Sequence, residues 1–115
     1  MLSLDIRIAH QPRGRAIVTL RGPLDAHTVK FLEKALGDLV PAKAKWVVLD
    51  LSELEYISSS GALLLVNKSR EAQESGGKAV FVKPKGTLMS IFALLGLDDI
   101  MSFAATVKKA LAALK

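Results

Sequence analysis

The chain opens with two short strand-like runs of apolar and polar residues. Residues 4–8 alternate between the two kinds, which is the period of a half-buried strand, and the β-branched run 16–20 predicts a second strand. The turn-forming sequence at 11–14 lies between them, so the two strands are expected to form a hairpin. Gly22 and Pro23 are expected to break the second strand.

A helix is predicted over about residues 26–39, because apolar residues recur there three or four positions apart. The residues of this apolar face are Val29, Leu32, Leu36 and Leu39. Asp25 is placed to cap the start of the helix, and Pro41 is expected to end it.

The centre of the chain predicts a strand, a helix and a second strand. Residues 46–51 are apolar without alternation, which is typical of a strand covered on both faces. The helix expected at about 60–74 is apolar in its first turns and charged later, and residues 75–77 supply its stop. With a strand at 78–82, residues 46–82 form a βαβ unit with parallel strands.

Two more helices are predicted near the end of the chain. Thr87 is expected to cap the first of them, and Gly96 to end it. Its inward residues are predicted to be Leu88, Ile91, Phe92 and Leu95. Residues 100–101 are expected to form a short edge strand, and Ser102 to cap the last helix. The apolar face of that helix is predicted to comprise Phe103, Val107, Ala110, Leu111 and Leu114.

Together these elements predict one small α/β domain over residues 1–115. Its mixed sheet of about four to five strands combines the N-terminal hairpin with the βαβ unit, and about four helices pack on it. Half of the 115 residues are hydrophobic, which is ample for a core. No cysteine is present, so disulfides and thiolate metal sites are excluded.

Charge and hydropathy narrow the possible partners. The net charge is +5, but the basic residues are scattered and are not interleaved with aromatic ones, so direct nucleic-acid binding is not expected. No apolar run approaches the roughly 18 residues of a membrane span, and the first residues lack the features of a signal peptide. A cytoplasmic protein without stable membrane insertion is therefore expected.

The most informative stretch is the serine cluster that precedes the central helix. Ser58, Ser59 and Ser60 lie before Gly61, where one hydroxyl can cap the helix and another can carry a phosphate near unpaired backbone N–H groups. A hydrolase nucleophile elbow needs glycine at position 57, which is Ile57. The spacing therefore leaves capping and phosphorylation as the two interpretations.

The remaining candidates do not predict an enzyme. The only histidines, His10 and His27, do not complete a catalytic triad, and the acidic residues lack the spacing of metal ligands, so no cofactor is expected. Asp50, at the end of a buried strand, is predicted to satisfy local backbone donors.

Five segments of the chain carry a recognisable pattern, namely 47–52 and 56–61 in the centre, together with 22–25, 76–78 and 91–97. They resemble the STAS domain family, and in particular the bacterial anti-sigma factor antagonists. The two central segments resemble the family's signature of an apolar strand, Asp-Leu-Ser and Asp-Ser-Ser-Gly. The resemblance implies that the protein binds an anti-sigma factor, usually a GHKL-type serine kinase, and so releases a sigma factor. It also implies that the kinase phosphorylates Ser59 and that a PP2C-type phosphatase reverses this.

The resemblance also implies a contact surface around the signature. The predicted partner-binding residues are Asp25, Ser58, Ser59, Ser60, Gly61, Leu63 and Leu64. Ser58 stands where the family has an acidic residue, which makes it a second candidate phosphoacceptor. The alternative hypothesis is an interaction module that is not switched, either a signalling scaffold or the cytoplasmic subunit of a lipid transporter.

Overall fold

A computed structural model describes residues 3–42 and 45–114, without the side chains of residues 39–42. The strands are β1 (Asp5–Gln11), β2 (Arg15–Leu24), β3 (Trp46–Ile57), β4 (Lys78–Val82) and β5 (Ser102–Ala104). The helices are α1 (Val29–Ala42), α2 (Ser59–Glu74), α3 (Thr87–Leu94) and α4 (Val107–Ala113). A single 3₁₀ turn (Leu97–Asp99) joins α3 to β5.

The five strands form one mixed sheet in the order β1-β2-β3-β4-β5. β1 and β2 are antiparallel, whereas every later pair of neighbours is parallel. Arg13 and Gly14 close the hairpin with positive φ angles of 69° each, a backbone conformation that turns use. The predicted α/β fold, with its hairpin and its βαβ unit, is confirmed.

β2 and β3 both run further than the sequence predicted. β2 continues through Gly22 and Pro23 to Leu24, so the expected break is wrong. β3 contains one extra residue relative to β2 at each of two irregularities. The first lies opposite the step from Thr19 to Arg21, and the second lies opposite the step from Gly22 to Pro23. Proline is tolerated at such bulges, since it lacks the N–H that a regular ladder uses. β3 likewise continues beyond the predicted residues 46–51 to Ile57.

The boundaries of α1 also differ from the prediction. It begins at Val29 rather than near residue 26, because residues 26–28 form a separate turn held by Asp25. It extends to Ala42, so Pro41 does not end it. Leu32 and Leu36 are buried as predicted, while the side chain of Leu39 lies outside the described residues.

The helices cover the sheet on both faces. α1, α2 and α3 contribute to a large apolar cluster with one face of the central strands, and α2 buries its first turns there, as predicted. α4 packs Ala110 and Leu114 on the opposite face, against Val48, Val80 and Val82. Burial on both faces explains why the first half of β3 lacks apolar alternation.

The C-terminal part departs most from the prediction. Gly86, not Thr87, is the N-cap of α3, while Gly96 follows the helix in a left-handed conformation (φ 73°), as expected of a stop. Ile91 and Leu95 are exposed, so their predicted inward orientation is wrong. The last strand is 102–104 rather than 100–101 and contains Ser102 and Phe103. Thr106 therefore caps α4, accepting a hydrogen bond from the Lys109 N–H at 3.1 Å.

Candidate functional site

Two helix starts lie side by side at the carboxyl end of the sheet. Leu24 of β2 pairs with Ile57 of β3, and each is followed at once by a polar residue that begins a helical connection, Asp25 or Ser58. The Ser58 N–H donates to the Leu24 carbonyl oxygen at 2.9 Å, which ties the second helix start to the end of β2. The parallel register thus brings together residues that are far apart in the sequence.

The three serines at the start of α2 differ in the hydrogen bonds that their hydroxyls make. Ser58 is the N-cap, and its Oγ accepts a hydrogen bond from the Gly61 N–H at 3.1 Å. The hydroxyls of Ser58 and Ser60 share a hydrogen bond at 3.0 Å. Ser59 is the first residue of the helix, is exposed, and has no side-chain hydrogen bond to any described residue. Its hydroxyl is thus the one that the local structure does not use.

Backbone donors are also available at this helix start. The Gly61 N–H is taken by the Ser58 side chain, and the Ala62 N–H donates to the Ser58 carbonyl oxygen at 2.9 Å. The N–H groups of Ser59 and Ser60 have no acceptor within the described ranges. Together with the positive end of the helix dipole, they make a favourable environment for a negative charge.

Gly61 is required by packing. A Cβ atom at this position would lie 2.8 Å from Leu24 Cγ, 2.9 Å from the Leu24 carbonyl oxygen and 3.2 Å from Ile57 Cγ1. Only glycine lets the first turn of α2 approach the ends of β2 and β3 this closely. Gly61 is buried, so its role is to let the start of α2 pack closely on the two strands, and it offers no side chain to a partner.

The neighbouring helix start is held by Asp25 and Thr28. Asp25 Oδ1 accepts hydrogen bonds from the N–H groups of His27 at 2.8 Å and Thr28 at 2.9 Å, so Asp25 caps the turn that leads into α1 and not a helix that begins at residue 26. The buried Thr28 hydroxyl accepts from the Asp25 N–H at 2.9 Å and donates to the Pro23 carbonyl oxygen at 2.8 Å. The hydrogen bond from the Thr28 backbone, followed by that from His27, lowers the pKa of the Asp25 carboxyl.

The structure separates the predicted contact residues into two groups. Asp25, Ser58, Ser59 and Ser60 lie at the two helix starts, and Leu63, one turn beyond Ser59, is 60% exposed. Leu64 is buried in the apolar cluster, so it cannot present its side chain to a partner as predicted. Gly61 is buried in the same way.

The sequence analysis missed two residues of the region, Thr28 and Tyr56, and correctly predicted the role of a third, Asp50. Thr28 was overlooked, although threonine three residues after an aspartate is the spacing of a reciprocal cap. Tyr56, at the end of β3, exposes about half of its surface near the serine cluster. Asp50 accepts a hydrogen bond from the Ser52 N–H at 3.0 Å, which confirms its predicted role with local donors.

Two further features are absent from the described residues, a metal-ligand group and a membrane-spanning helix. Within residues 3–42 and 45–114, no group of three or more histidine, cysteine, aspartate or glutamate side chains could hold a metal ion. In the same ranges, no helix is both long enough and apolar enough to cross a membrane. The carboxyl end of the mixed sheet carries the serine-capped helix start described above.

Comparison with known proteins identifies the family. The STAS domain family matches residues 6–110, and the chain belongs to that family. The anti-sigma-F factor antagonist RsfB of Mycobacterium tuberculosis is 29% identical over 109 residues, which cover 95% of this chain and 88% of RsfB. An anti-sigma factor antagonist from Mycobacterium paratuberculosis has a similar structure, with a TM-score of 0.81 and 27% identity over 97% of this chain and 94% of that one.

A more distant relative shows the same fold. The Bacillus cell fate determinant SpoIIAA in its phosphorylated form has a TM-score of 0.74 and 21% identity, over 96% of this chain and 100% of SpoIIAA.

Proposed function

We propose that this protein is an anti-sigma factor antagonist whose binding is switched by phosphorylation of Ser59. In its unphosphorylated form it binds an anti-sigma factor and thereby frees a sigma factor for transcription. The names of its relatives support the first part of this proposal, since RsfB and the Mycobacterium paratuberculosis protein are both called antagonists. The proposed activity belongs in the cytoplasm, where sigma factors act, and it involves no catalysis by this chain.

The hydrogen bonding of the three serine hydroxyls is the observation that supports Ser59 as the phosphorylated residue. Ser58 and Ser60 are engaged in the cap and in their mutual hydrogen bond, whereas the Ser59 hydroxyl points to no partner in the described residues and is exposed. A kinase can reach Ser59 without disrupting the cap. Ser58, the second candidate acceptor, is less exposed and is needed by the Gly61 N–H.

A phosphate on Ser59 would add about −1.5 to −2 charges at a position that the helix tolerates. The unpaired N–H groups of Ser59 and Ser60 can donate to it, so the fold is expected to survive. The surface changes instead, because Leu63 lies on the same helical face one turn later. A protein that covers Leu63 would also cover the phosphate on Ser59. Burying that charge without an opposite charge or a hydrogen-bond donor is costly, so phosphorylation should weaken binding of that protein.

The proposed contact surface comprises Asp25, Ser58, Ser59, Ser60 and Leu63, with Tyr56 added because of its exposure. The proposed partner is a GHKL-type serine kinase that acts as the anti-sigma factor. A PP2C-type phosphatase is proposed to remove the phosphate and restore binding. Ser58 replaces the family's acidic residue by a neutral cap, so the charge at this helix start comes from phosphorylation alone.

Phosphate transfer from the candidate kinase tests the switch. The wild-type chain, incubated with that kinase and ATP, is expected to gain one phosphate, which peptide mass spectrometry should place on Ser59. Ser59→Ala should abolish the gain and retain binding, while Ser58→Ala and Ser60→Ala should still be phosphorylated. A phosphate found on Ser58 or Ser60 in the wild-type chain would contradict the assignment.

Binding of charge-mimicking variants tests whether charge at the helix start is what the partner senses. Ser59→Asp should weaken binding to the anti-sigma factor, measured by calorimetry. Gln73→Glu adds the same charge to the exposed far end of α2 and should leave binding unchanged. If Ser59→Asp binds as tightly as the wild type and no phosphate is transferred, the chain is an unswitched scaffold or transporter subunit instead.

A further inference from the structure

An open cavity of about 250 Å³ lies at the amino ends of β2 and β3, at the edge of the sheet opposite Ser59. It is lined by Arg13, Arg15, Trp46 and Leu114. Two guanidinium groups therefore border the cavity together with an indole ring and a leucine side chain. Among the described residues that line it, none is acidic. This cavity is called the arginine–tryptophan pocket.

The fold holds Arg15 and Trp46 side by side. The two residues are direct partners in the parallel register of β2 and β3, so their side chains lie on the same face of the sheet. Both are half-buried. Trp46 packs against the small apolar cluster under α4, to which Leu114 also belongs. The sheet and α4 therefore fix the apolar wall of the pocket.

The guanidinium of Arg15 is oriented by the fold but still has donors to spare. Its Nε–H donates to the Pro12 carbonyl oxygen at 3.1 Å, which holds the side chain against the hairpin turn. Its two Nη groups donate to no acceptor in the described part of the chain, and Arg15 forms no salt bridge there. A guanidinium fork recognises a carboxylate or a phosphate through two parallel hydrogen bonds.

The hairpin turn does not itself require an arginine at position 13. Arg13 has a φ of 69°, in the left-handed region that glycine and asparagine adopt more readily than arginine does. Its exposed side chain forms no salt bridge with any residue that the structure describes. Unfavourable backbone conformations are often retained where a side chain has a function. The position of Arg13 at the pocket supplies such a function.

The carboxyl end of α4 lies beside the pocket, and its partial negative charge would oppose an anion there. Lys78 offsets this effect, because its ammonium donates to the Ala113 carbonyl oxygen at 3.1 Å. Lys78 is also the partner of Trp46 in the register of β3 and β4. The charge around the pocket is therefore positive, which favours an anionic ligand.

We propose that the arginine–tryptophan pocket binds a small aromatic anion, with one ring and one carboxylate or phosphate group. The anionic group accepts hydrogen bonds from the guanidinium groups of Arg13 and Arg15. The ring lies against Trp46 and Leu114. A cavity of about 250 Å³ is smaller than the roughly 300–1,000 Å³ of sites for drug-sized ligands, so a ligand of about one ring is expected. The pocket and Ser59 lie at opposite edges of the sheet, so this binding is independent of the proposed switch.

Titration of the indole N–H resonance by NMR tests the class of ligand, since Trp46 is the only tryptophan in the chain. Benzoate and phenyl phosphate are the probes, and at least one of them should saturate the shift with a Kd of about 1 mM or below. The one that binds more tightly shows whether the pocket prefers a carboxylate or a phosphate.

Matched compounds separate the contribution of the charge from that of the ring. Benzamide has the ring without the charge, whereas acetate and inorganic phosphate have the charge without the ring. Each should bind at least about tenfold more weakly than the better probe. The proposal is wrong if benzamide, acetate or inorganic phosphate binds as tightly as that probe. It is also wrong if neither probe shifts the indole resonance at concentrations up to about 10 mM.

Substitution of the two arginines tests their roles. Arg15→Gln should weaken binding of the better probe at least about tenfold, because it removes the guanidinium fork. Arg13→Asn should weaken binding about threefold to tenfold and should keep the turn intact, because asparagine adopts a positive φ readily. Arg70→Gln removes the same charge from an exposed site on α2 and is the matched control, which should bind like the wild type.

Undiminished binding by Arg15→Gln, or an equal loss in Arg70→Gln, would overturn the proposal. Amide spectra of the variants, recorded in the same titration, show that each one is folded. Ser59→Asp should bind the probe as tightly as the wild type does, which separates this test from that of the switch. A loss of binding in that variant would contradict the independence of the two sites.

Discussion

The two neighbouring helix starts at the carboxyl end of the sheet differ in how they carry charge. The turn that leads into α1 is capped by Asp25, whose carboxylate accepts two backbone hydrogen bonds and is fixed by the buried Thr28. The start of α2 is capped by the neutral hydroxyl of Ser58 and leaves the Ser59 hydroxyl and two N–H groups unused. The start of α1 therefore carries a negative charge at neutral pH, whereas the start of α2 can acquire one on Ser59.

This difference suggests how a small domain separates folding from regulation. Residues that hold the helix starts in place, namely Gly61, Thr28, Ser58 and Asp25, are buried or bonded. Ser59 is neither, so a change there need not disturb the fold. Substitutions at the four supporting residues should therefore lower stability, while Ser59→Ala should not.

The largest effect is expected for Gly61→Ala. The added Cβ would lie 2.9 Å from the Leu24 carbonyl oxygen, which is backbone and cannot turn aside. Overpacking of this kind costs roughly 1–3 kcal/mol of unfolding free energy. Gly37→Ala is the matched control, because nothing lies within 4 Å of a Cβ there, and it should be neutral or stabilising. Urea unfolding of both variants measures the difference, and equal stabilities would contradict the packing role.

Thr28→Val should be destabilising to a similar or slightly smaller extent. Valine keeps the shape of the buried side chain but removes the hydroxyl, which leaves the Pro23 carbonyl and the Asp25 N–H without that partner. An unsatisfied buried polar group costs about 1–3 kcal/mol. Thr28→Ser keeps the hydroxyl and should recover part of the loss in the same unfolding experiment. A fully stable Thr28→Val would show that the α1 start does not depend on this network.

Ser58→Ala should cost about 1 kcal/mol, since it removes the N-cap of α2. Ser59→Ala should change the unfolding free energy by less than about 0.5 kcal/mol, as expected of an exposed side chain with no bond. Thermal unfolding of the two variants in parallel compares the cap with the free hydroxyl directly. If Ser59→Ala proves the more damaging substitution, the assignment of the cap is wrong.

The smallest effect is expected for Asp25→Asn, and it should depend on pH. The folded-state pKa of Asp25 is lowered from its ordinary value of 3.8, so its charge stabilises the fold above that value and this contribution is lost as the pH falls through the folded pKa. Asparagine can still cap but carries no charge. The melting temperature of Asp25→Asn should lie slightly below that of the wild type at pH 7 and converge with it in acid. A gap that stays constant down to pH 3 would contradict the charge effect.

Much of the fold was predictable because its signals are local. The hairpin, the βαβ unit and the C-terminal stop of α2 followed from alternation, apolar runs and glycine placement. The serine cluster was recognised for the same reason, since a helix start is visible in a few adjacent residues. Leu64 was misplaced, because spacing alone does not say which of Leu63 and Leu64 faces the sheet.

The errors occurred where distant residues decide the outcome. β2 continues through Gly22 and Pro23 because β3 bulges beside it, and neither strand predicts that pairing by itself. α3 is apolar on two sides, so its pattern could not indicate that Leu88 and Phe92 face inward while Ile91 and Leu95 do not. In both places the local pattern permits more than one arrangement.

The sequence alone determined the order of strands and helices, the family resemblance and the serine-rich helix start, because each depends on neighbouring residues. Only the tertiary structure decided which serine is the cap, which is free, and that Asp25 lies beside them. The reason is the parallel register of β2 and β3, which joins Leu24 to Ile57 and so places two separate helix starts at one edge of the sheet.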